Sequence, residues 1–212
     1  MMKRLLLVLP LAALLLAGCQ MFSGTQVEKV SSQKPEAATM KKVLVIGVKT
    51  TPEIQKAMEK AFSERLKKHG TTVVLGSDWF PGAELPTRQQ VVERVKAEGV
   101  TGVLVTSLLN FEVAAVEEQY STFILSAPSR TPEARVGWSD VWVSGHENAQ
   151  QVRDSAPIVE RTAVIETRLY DAVSEKVVWE ARARMEVGLD AERNLDGFVS
   201  AIIAQLHRNG WL

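Results

Sequence analysis

The chain has 212 residues, 46% hydrophobic and 24% charged, a composition that suits one globular domain and excludes wholesale disorder. Its 25 basic residues balance 25 acidic residues, so the net charge provides no general attraction to nucleic acid or acidic lipid. A single cysteine is present, which excludes a disulfide bond within the chain.

The first eighteen residues follow the plan of a secretion signal. Lys3 and Arg4 form a short basic start, and an apolar run at residues 5–16 follows. As a helix, residues 5–18 would rise only about 21 Å, less than the bilayer's hydrocarbon core of about 30 Å. A permanent transmembrane helix is therefore the weaker interpretation, and we predict a signal peptide at residues 1–18.

The last residues of this segment, LAGC at positions 16–19, resemble the lipobox of bacterial lipoproteins. The resemblance implies cleavage before Cys19 and acyl chains, including palmitate, that anchor Cys19 in membrane lipid. The alternative is an incidental cysteine in a soluble secreted product. We favour the lipid anchor, because the basic start, the apolar run and the small residues all indicate one cleavage point.

The residue after the cysteine bears on the destination of the chain. In bacteria with two membranes, the lipoprotein resemblance implies the outer membrane, because Gln20 and not aspartate follows Cys19. The localisation expected is therefore a periplasm-facing anchor in the cell outer membrane. Cleavage also removes Lys3 and Arg4, which leaves 23 basic residues against 25 acidic ones and a net charge of about −2. This balance argues further against nucleic acid as a partner.

Residues 19–40 are predicted to form the lipidated cysteine and a flexible tether. They are rich in Ser, Thr, Gln and Lys and show no sustained apolar period. A flexible chain of residues 20–40 would have a root-mean-square span of about 25 Å. The domain would then lie near its membrane with room to reach a neighbour.

From Lys41 onward the pattern alternates between strands and helices. Residues 43–48 form a continuous apolar run, typical of a strand buried on both faces. Thr51 and Pro52 can begin a helix that Gly70 ends. A short strand is predicted at residues 72–75, a helix at 88–98 and a second apolar strand at 102–113. This order predicts a sheet with helices packed against it.

The second half of the chain favours antiparallel pairing. Residues 159–170 and 177–187 surround the turn sequence DAVSE, and the second segment alternates apolar with charged residues, which predicts a hairpin with one wet face. A last helix follows, and we expect Trp211 to fold back on its final turn. The apolar face of that helix would comprise Leu195, Phe198, Val199, Ile202, Ile203 and Leu206.

Together these elements predict the fold class. It is α/β, with a single α/β sandwich in which helices flank a mixed β-sheet. The order is βαβαβ, then the antiparallel hairpin and the C-terminal helix, in one domain that spans residues 41–212.

Aromatic side chains suggest a surface for protein contacts. Trp138 and Trp142 would share one face of a strand within an otherwise irregular segment, and Trp79 with Phe80 lies in an earlier loop. One interpretation makes these four residues an interaction surface. The other, which we weigh above it, is that the tryptophans cover the sheet, because large aromatic residues are more often core than site.

Residues able to do chemistry are sparse. His69, His146 and His207 are far apart in the sequence, and none has a second ligand at the usual metal spacing, so no metal site and no cofactor are predicted. The sequence contains no GxSxG motif and no phosphate-binding glycine loop after the first strand. Since Cys19 is expected to carry lipid, it cannot serve as a nucleophile. We therefore expect that the protein is not an enzyme.

The sum of these features resembles a class of small bacterial envelope lipoproteins. The segments KVLVIGV, GVTGVLVTSL and ETRLYDAVSEKVVWEARAR carry the resemblance, after the lipobox and the polar segment. The order of elements is similar to the N-terminal domain of the Tol-system protein TolB, to the curli secretion lipoprotein and to the lipoprotein activator of penicillin-binding proteins. The resemblance implies a non-enzymatic periplasmic role through protein contacts, and it identifies no site residues, because these relatives use different surfaces.

Two hypotheses about function follow. The first is a lipid-anchored outer-membrane lipoprotein that binds or assembles cell-envelope partners and forms a homo-oligomer in one version of the hypothesis. The second is a periplasmic small-ligand binder or enzyme that uses loops at the strand ends, around Thr50, Asp78 and Asp140. We favour the first, because the sequence lacks a catalytic constellation.

Overall fold

The computed structural model describes residues 24–33, 40–79, 87–113, 161–187 and 191–212. The strands in these ranges are β1 (Thr25–Ser32), β2 (Lys42–Val48), β3 (Thr72–Leu75), β4 (Gly102–Val113), β5 (Arg161–Asp171) and β6 (Val177–Val187). The helices are α1 (Pro52–Lys68), α2 (Gly76–Trp79), α3 (Arg88–Ala97) and α4 (Ala191–Arg208). The described strands form one open sheet in the order β1-β6-β5-β4-β2-β3.

The sheet is mixed, as the sequence pattern predicts. Strand β2 pairs in parallel with β3 on one side and with β4 on the other. The pairs β4–β5, β5–β6 and β6–β1 are antiparallel, so the predicted hairpin of β5 and β6 is confirmed. The crossover from β2 to β3 and the one from β3 to β4 run in opposite directions across the sheet, which brings α1 and α3 to opposite faces.

One face of the sheet is covered by α1 and α4. Phe62 of α1 and Phe198 of α4 meet edge to face, with ring centroids 6.1 Å apart, above a core that includes Trp179 of β6. The predicted apolar stripe of the last helix is confirmed, since five of its members are buried: Phe198, Val199, Ile202, Ile203 and Leu206. Burial of such a stripe is the main source of stability for a surface helix.

The opposite face has a smaller core beneath α3. Leu44 and Ile46 of β2 are fully buried there against Val91 and Val95 of α3. Because β2 is apolar on both faces, it is covered by helices on both sides, as its continuous hydrophobic run predicts.

Local sequence signals fix where the helices begin. The Thr51 side chain accepts a hydrogen bond from the backbone of Ile54, with Pro52 at the first helical position of α1. Thr87 and Gln90 form a complete capping box at the start of α3. Helix α3 ends at Ala97, one residue before the predicted end.

Two segments differ from the sequence prediction. Residues 25–32, assigned to the flexible tether, form β1 at the edge of the sheet. The physical reason is that β6 offers a complete row of backbone partners, which periodicity within the segment cannot reveal. Residues 76–79, assigned to a loop, form the short helix α2.

Candidate interaction surface

The residues predicted to serve the function fall largely outside the described ranges. Cys19, Phe80, Trp138 and Trp142 lie outside the described residues, and only Trp79 lies within them. The interpretation of the four aromatic residues as one contact surface can therefore be followed at Trp79 alone.

Trp79 lies in the core. Its side chain is 6% exposed and packs in the apolar cluster beneath α3. The guanidinium carbon of Arg94 lies 4.9 Å from the centre of the indole ring, a cation–π distance, and Arg94 also donates a hydrogen bond to the Trp79 carbonyl oxygen. The burial of Trp79 agrees with the interpretation weighed higher from the sequence, that the tryptophans are core residues, and its role in protein contacts stays a prediction.

Strand β1 joins the sheet through backbone pairing along its whole length. Thr25 lies opposite Met185 of β6 at one end, and Ser32 lies opposite Trp179 at the other. The pairing continues beyond both ends of the strand. Glu186 donates its backbone N–H to the Gly24 carbonyl oxygen at 2.9 Å, and Gln33 donates its own to the Val178 carbonyl oxygen at 2.8 Å. The segment after the predicted lipid anchor is thus part of the folded sheet.

The C-terminal residues fasten the far end of β1. The backbone N–H of Trp211 donates to the Leu206 carbonyl oxygen at 3.0 Å, so the predicted fold-back on α4 is confirmed. The Trp211 ring is buried in the main core, and its indole nitrogen donates to Ser32 Oγ at 3.0 Å. A tryptophan that closes the core therefore also holds the edge strand.

The outer edge of β1 is the longer of the two edges of the described sheet. No other described strand pairs with it, and a free sheet edge of this kind can pair with a strand of another chain. The pairing register shifts between Val27 and Lys29, and the bulge there interrupts a regular edge. Beyond the bulge, the side chain of Val30 is 37% exposed. The edge thus combines an accessible apolar residue, Val30, with a bulge that limits the unspecific addition of other strands.

Ion pairs also attach β1 to its neighbours, on the face of the sheet opposite the core beneath α1 and α4. Arg184 of β6 pairs with Glu28 of β1, with 2.5 Å between Nη1 and Oε1, and with Glu112 of β4 at 3.1 Å. This arginine is about two-fifths exposed, so each pair contributes at most about 1 kcal/mol. Because the two pairs share Arg184, they connect β1, β6 and β4. The attachment of β1 therefore depends on residues of both other strands.

A second arginine organises the inner part of the same face. Arg168 of β5 pairs with Glu166 at 3.0 Å and with Glu180 of β6 at 2.8 Å. Burial acts to lower the pKa of the Arg168 guanidinium, but Glu166, Tyr170 and Glu180 together outweigh burial and raise the pKa above its usual value. Arg168 therefore remains a fixed positive charge between two carboxylates.

The carboxyl ends of β2 and β3 hold a buried carboxylate. Glu59 of α1 is fully buried, and Oε1 accepts hydrogen bonds from the Gly47 backbone at 3.1 Å and the Gln55 side chain at 2.9 Å. Oε2 accepts from the Ser77 backbone at 2.9 Å. Because donors from a strand and two helices converge on it, Glu59 holds this corner of the fold together.

This corner is also where the small-ligand hypothesis places its site. Thr50 is buried there, and Asp78 is exposed. Asp140 lies outside the described residues. Lys49 has a left-handed backbone with φ of 58°, a conformation that costs a residue with a side chain about 1–3 kcal/mol. Glu59 is fully engaged by structural donors, so of these two carboxylates only Asp78 is accessible to solvent.

The described residues also bear on two other classes of site, metal centres and membrane-spanning helices. No group of three or more His, Cys, Asp or Glu side chains in these ranges is placed to hold a metal ion. None of the helices in the described part of the chain combines the length and the apolar character needed to cross a membrane.

Comparison with known proteins gives matches in structure alone. No protein-family model matches the chain, and no curated protein matches it. Among solved structures, the PelC dodecamer from Paraburkholderia phytofirmans is 15% identical, with 87% of this chain and 96% of that chain covered and a TM-score of 0.44. A point variant of the same PelC dodecamer in another crystal form has the same identity and coverage and a TM-score of 0.45.

A lipoprotein is also among the structural neighbours. Lipoprotein GNA1162 from Neisseria meningitidis is 13% identical, with 79% of this chain and 98% of that chain covered and a TM-score of 0.43. A likeness this distant concerns the fold alone and indicates no shared function.

Proposed function

We propose that the chain is a lipid-anchored outer-membrane lipoprotein that acts as a non-enzymatic periplasmic binding or assembly module for cell-envelope partners. The observation that carries the proposal is the position of β1, an open edge strand that begins at Thr25, shortly after the predicted lipidated Cys19. The predicted signal peptide, the lipobox and the edge strand follow one another along the chain. They would serve export, anchoring and partner binding in that order.

The proposed anchor and β1 together limit how far the domain can move from the membrane. The five residue steps from Cys19 to Gly24 span at most about 18 Å, even if they are fully extended. A tether that ran to residue 40 would allow a much wider range. Because β1 is paired with β6 from Thr25 onward, the start of β1 is the membrane-proximal part of the domain.

The same arrangement supports a role in protein contacts. An edge strand near the membrane surface can add a strand of another protein to the sheet, with the backbone providing affinity and side chains such as Val30 providing selectivity. The bulge between Val27 and Lys29 confines regular pairing to a short segment. A partner with one matched strand would therefore be preferred over general aggregation.

Two experiments test the proposal. Cys19→Ala should abolish incorporation of radiolabelled palmitate and leave the precursor unprocessed, and unchanged labelling would show that the anchor is wrong. Chemical crosslinking in cells with several crosslinker lengths, followed by membrane purification, should trap a defined species with the processed protein. Recovery of monomer alone with every crosslinker would count against the binding role.

A further inference from the structure

Two histidines that are far apart in the sequence meet at one end of the domain. His69 is the C-terminal cap of α1, and His207 lies in the last turn of α4. Their ring centroids are 5.4 Å apart, with 47° between the ring planes. Both side chains are exposed, so a solute ion can reach both. We propose that His69 and His207 form a two-histidine site for a divalent transition metal ion.

The separation of the rings matches the geometry of a shared metal. Zinc and similar ions bind imidazole nitrogen at about 2.0–2.1 Å, and two such ligands at a tetrahedral angle place their ring centroids about 5 Å apart. The observed 5.4 Å between the His69 and His207 rings is therefore close to the required spacing. A small rotation of either exposed ring would remove the remaining difference.

The packing of the two helices fixes this separation. Phe62 and Phe198 bury their rings against each other between α1 and α4, and Arg65 pairs with Asp196 at 2.6 Å. The helices therefore present their C-terminal ends side by side as one rigid unit. Preorganised ligands lose little freedom on binding, which raises affinity.

The local electrostatics contain opposing contributions. A helix C-terminus carries partial negative charge, and the two C-termini at this site both favour a cation. A bound cation is repelled by three positive side chains: Lys67 and Lys68 in the last turn of α1, and Arg208 in the last turn of α4. These long side chains are exposed and can turn into solvent, whereas the helix ends are fixed. Binding is thus expected to strengthen when one of these positive charges is removed.

The ligands select the class of metal. Neutral imidazole suits Cu²⁺, Zn²⁺ and Ni²⁺, and the order of affinities places Cu²⁺ first. The described residues provide no third His, Cys, Asp or Glu for the site, so water would complete the coordination. A cavity of about 410 Å³ lined by His69, Thr71 and Trp211 adjoins this end of the domain and leaves room for those waters. The bound ion would therefore keep open positions that another ligand could enter.

The test uses the processed, lipidated chain in detergent, purified without a polyhistidine tag. Titration with CuCl₂ is followed by electron paramagnetic resonance, which reports the imidazole nitrogens bound to Cu²⁺. We expect one tight equivalent bound by two imidazoles. His69→Asn and His207→Asn should each leave one imidazole and weaken binding by at least about 10-fold, since loss of a mere second-shell partner already costs about 10-fold to 100-fold. Asparagine keeps a polar side chain that is tolerated at a helix end.

Matched variants separate this site from adventitious binding. His146→Asn removes the remaining histidine of the chain and should leave the tight equivalent unchanged. Lys68→Gln should strengthen binding if the balance of charges above is correct. ZnCl₂ should raise the Tm of the natural chain and not that of the His69→Asn/His207→Asn double variant. Equal Cu²⁺ binding by that double variant, or a single imidazole in the natural chain, would overturn the proposal.

Discussion

The indole nitrogen of Trp211 donates a hydrogen bond of 3.0 Å to the hydroxyl oxygen of Ser32. This bond joins the last residues of the chain to the edge strand β1. The Trp211 ring lies in the same core as α1 and α4, so β1 is tied to the most buried part of the protein. The attachment matters for the proposed function, because β1 is what would hold the domain close to its lipid anchor.

Removing either partner of this bond should loosen β1. Trp211→Phe keeps an aromatic ring in the core but loses the donor, and Ser32→Ala loses the acceptor. Each change should lower the free energy of unfolding, and the coupling between them should be about 0.5–1.5 kcal/mol, the usual net contribution of a hydrogen bond. Urea denaturation of the natural chain, both single variants and the double variant measures this coupling.

Amide hydrogen exchange shows where the effect lies. In Ser32→Ala we expect faster exchange at the end of β1, including the Gln33 amide that donates to Val178, while β2 stays protected. A coupling near zero together with unchanged exchange at Gln33 would contradict the view that Trp211 secures the edge strand.

Glu59→Gln tests the buried carboxylate. Both Glu59 oxygens accept backbone N–H groups, so an amide in its place must turn a donor toward one of them and leave a buried N–H unsatisfied. We expect a loss of about 1–3 kcal/mol in the free energy of unfolding. Glu64→Gln, on an exposed position of the same helix, is the control and should change stability by no more than about 0.5 kcal/mol. Equal effects of the two substitutions would show that Glu59 has no special role.

Substitution of Trp79 separates its core position from a role in binding. Trp79→Ala should cost about 3–5 kcal/mol of stability, because it empties a buried site beneath α3 and leaves Arg94 without its ring partner. Trp79→Phe should fold and should retain any partner that the natural chain crosslinks. If Trp79→Phe lost that partner at unchanged stability, the result would show that Trp79 contributes to binding.

The turn between β5 and β6 predicts a pH dependence. Partial burial acts to raise the pKa of Asp171, but hydrogen bonds from the Ser174 backbone and hydroxyl, both 2.7 Å, outweigh burial and hold the pKa below its usual value. A carboxyl whose pKa is lowered by folding contributes stability that is fully present above its unfolded pKa of about 3.9 and is lost as the pH falls through the lower folded pKa.

Ser174→Ala removes the hydroxyl donor and tests this sign. The variant should be less stable than the natural chain at pH 6, and the difference should shrink at an acid pH below the lowered folded pKa of Asp171, where the carboxyl is protonated in both. Ser174→Thr keeps the hydroxyl and is the control, expected to behave as the natural chain does. A difference between natural chain and Ser174→Ala that is the same at both pH values would contradict the assignment.

Elements with strong internal periodicity could be predicted from the sequence. The apolar run of β2, the caps Thr51 and Thr87, and the alternation of β6 each encode their structure within a few residues. The buried faces of these elements could also be predicted, because a buried strand or helix must place its apolar residues toward the core.

The features that sequence reasoning missed depend on contacts between distant segments. Strand β1 is polar at most positions, and its bulge breaks the alternation, so only its partner β6 identifies it as a strand. The meeting of His69 and His207 depends on how α1 packs against α4. In each case no signal within the local sequence could have revealed the contact.

Site-specific photo-crosslinking in cells tests the central claim most directly. Among the described residues, three large hydrophobic side chains are exposed: Val30 on β1, Ile54 on α1 and Val173 in the hairpin turn. A photoreactive residue at position 30 should form one discrete adduct that purifies with the outer membrane and disappears in Cys19→Ala, while positions 54 and 173 should not form it. An adduct of twice the protein's mass would identify a second copy as the partner. Equal adducts from all three positions, or none from position 30, would contradict the account.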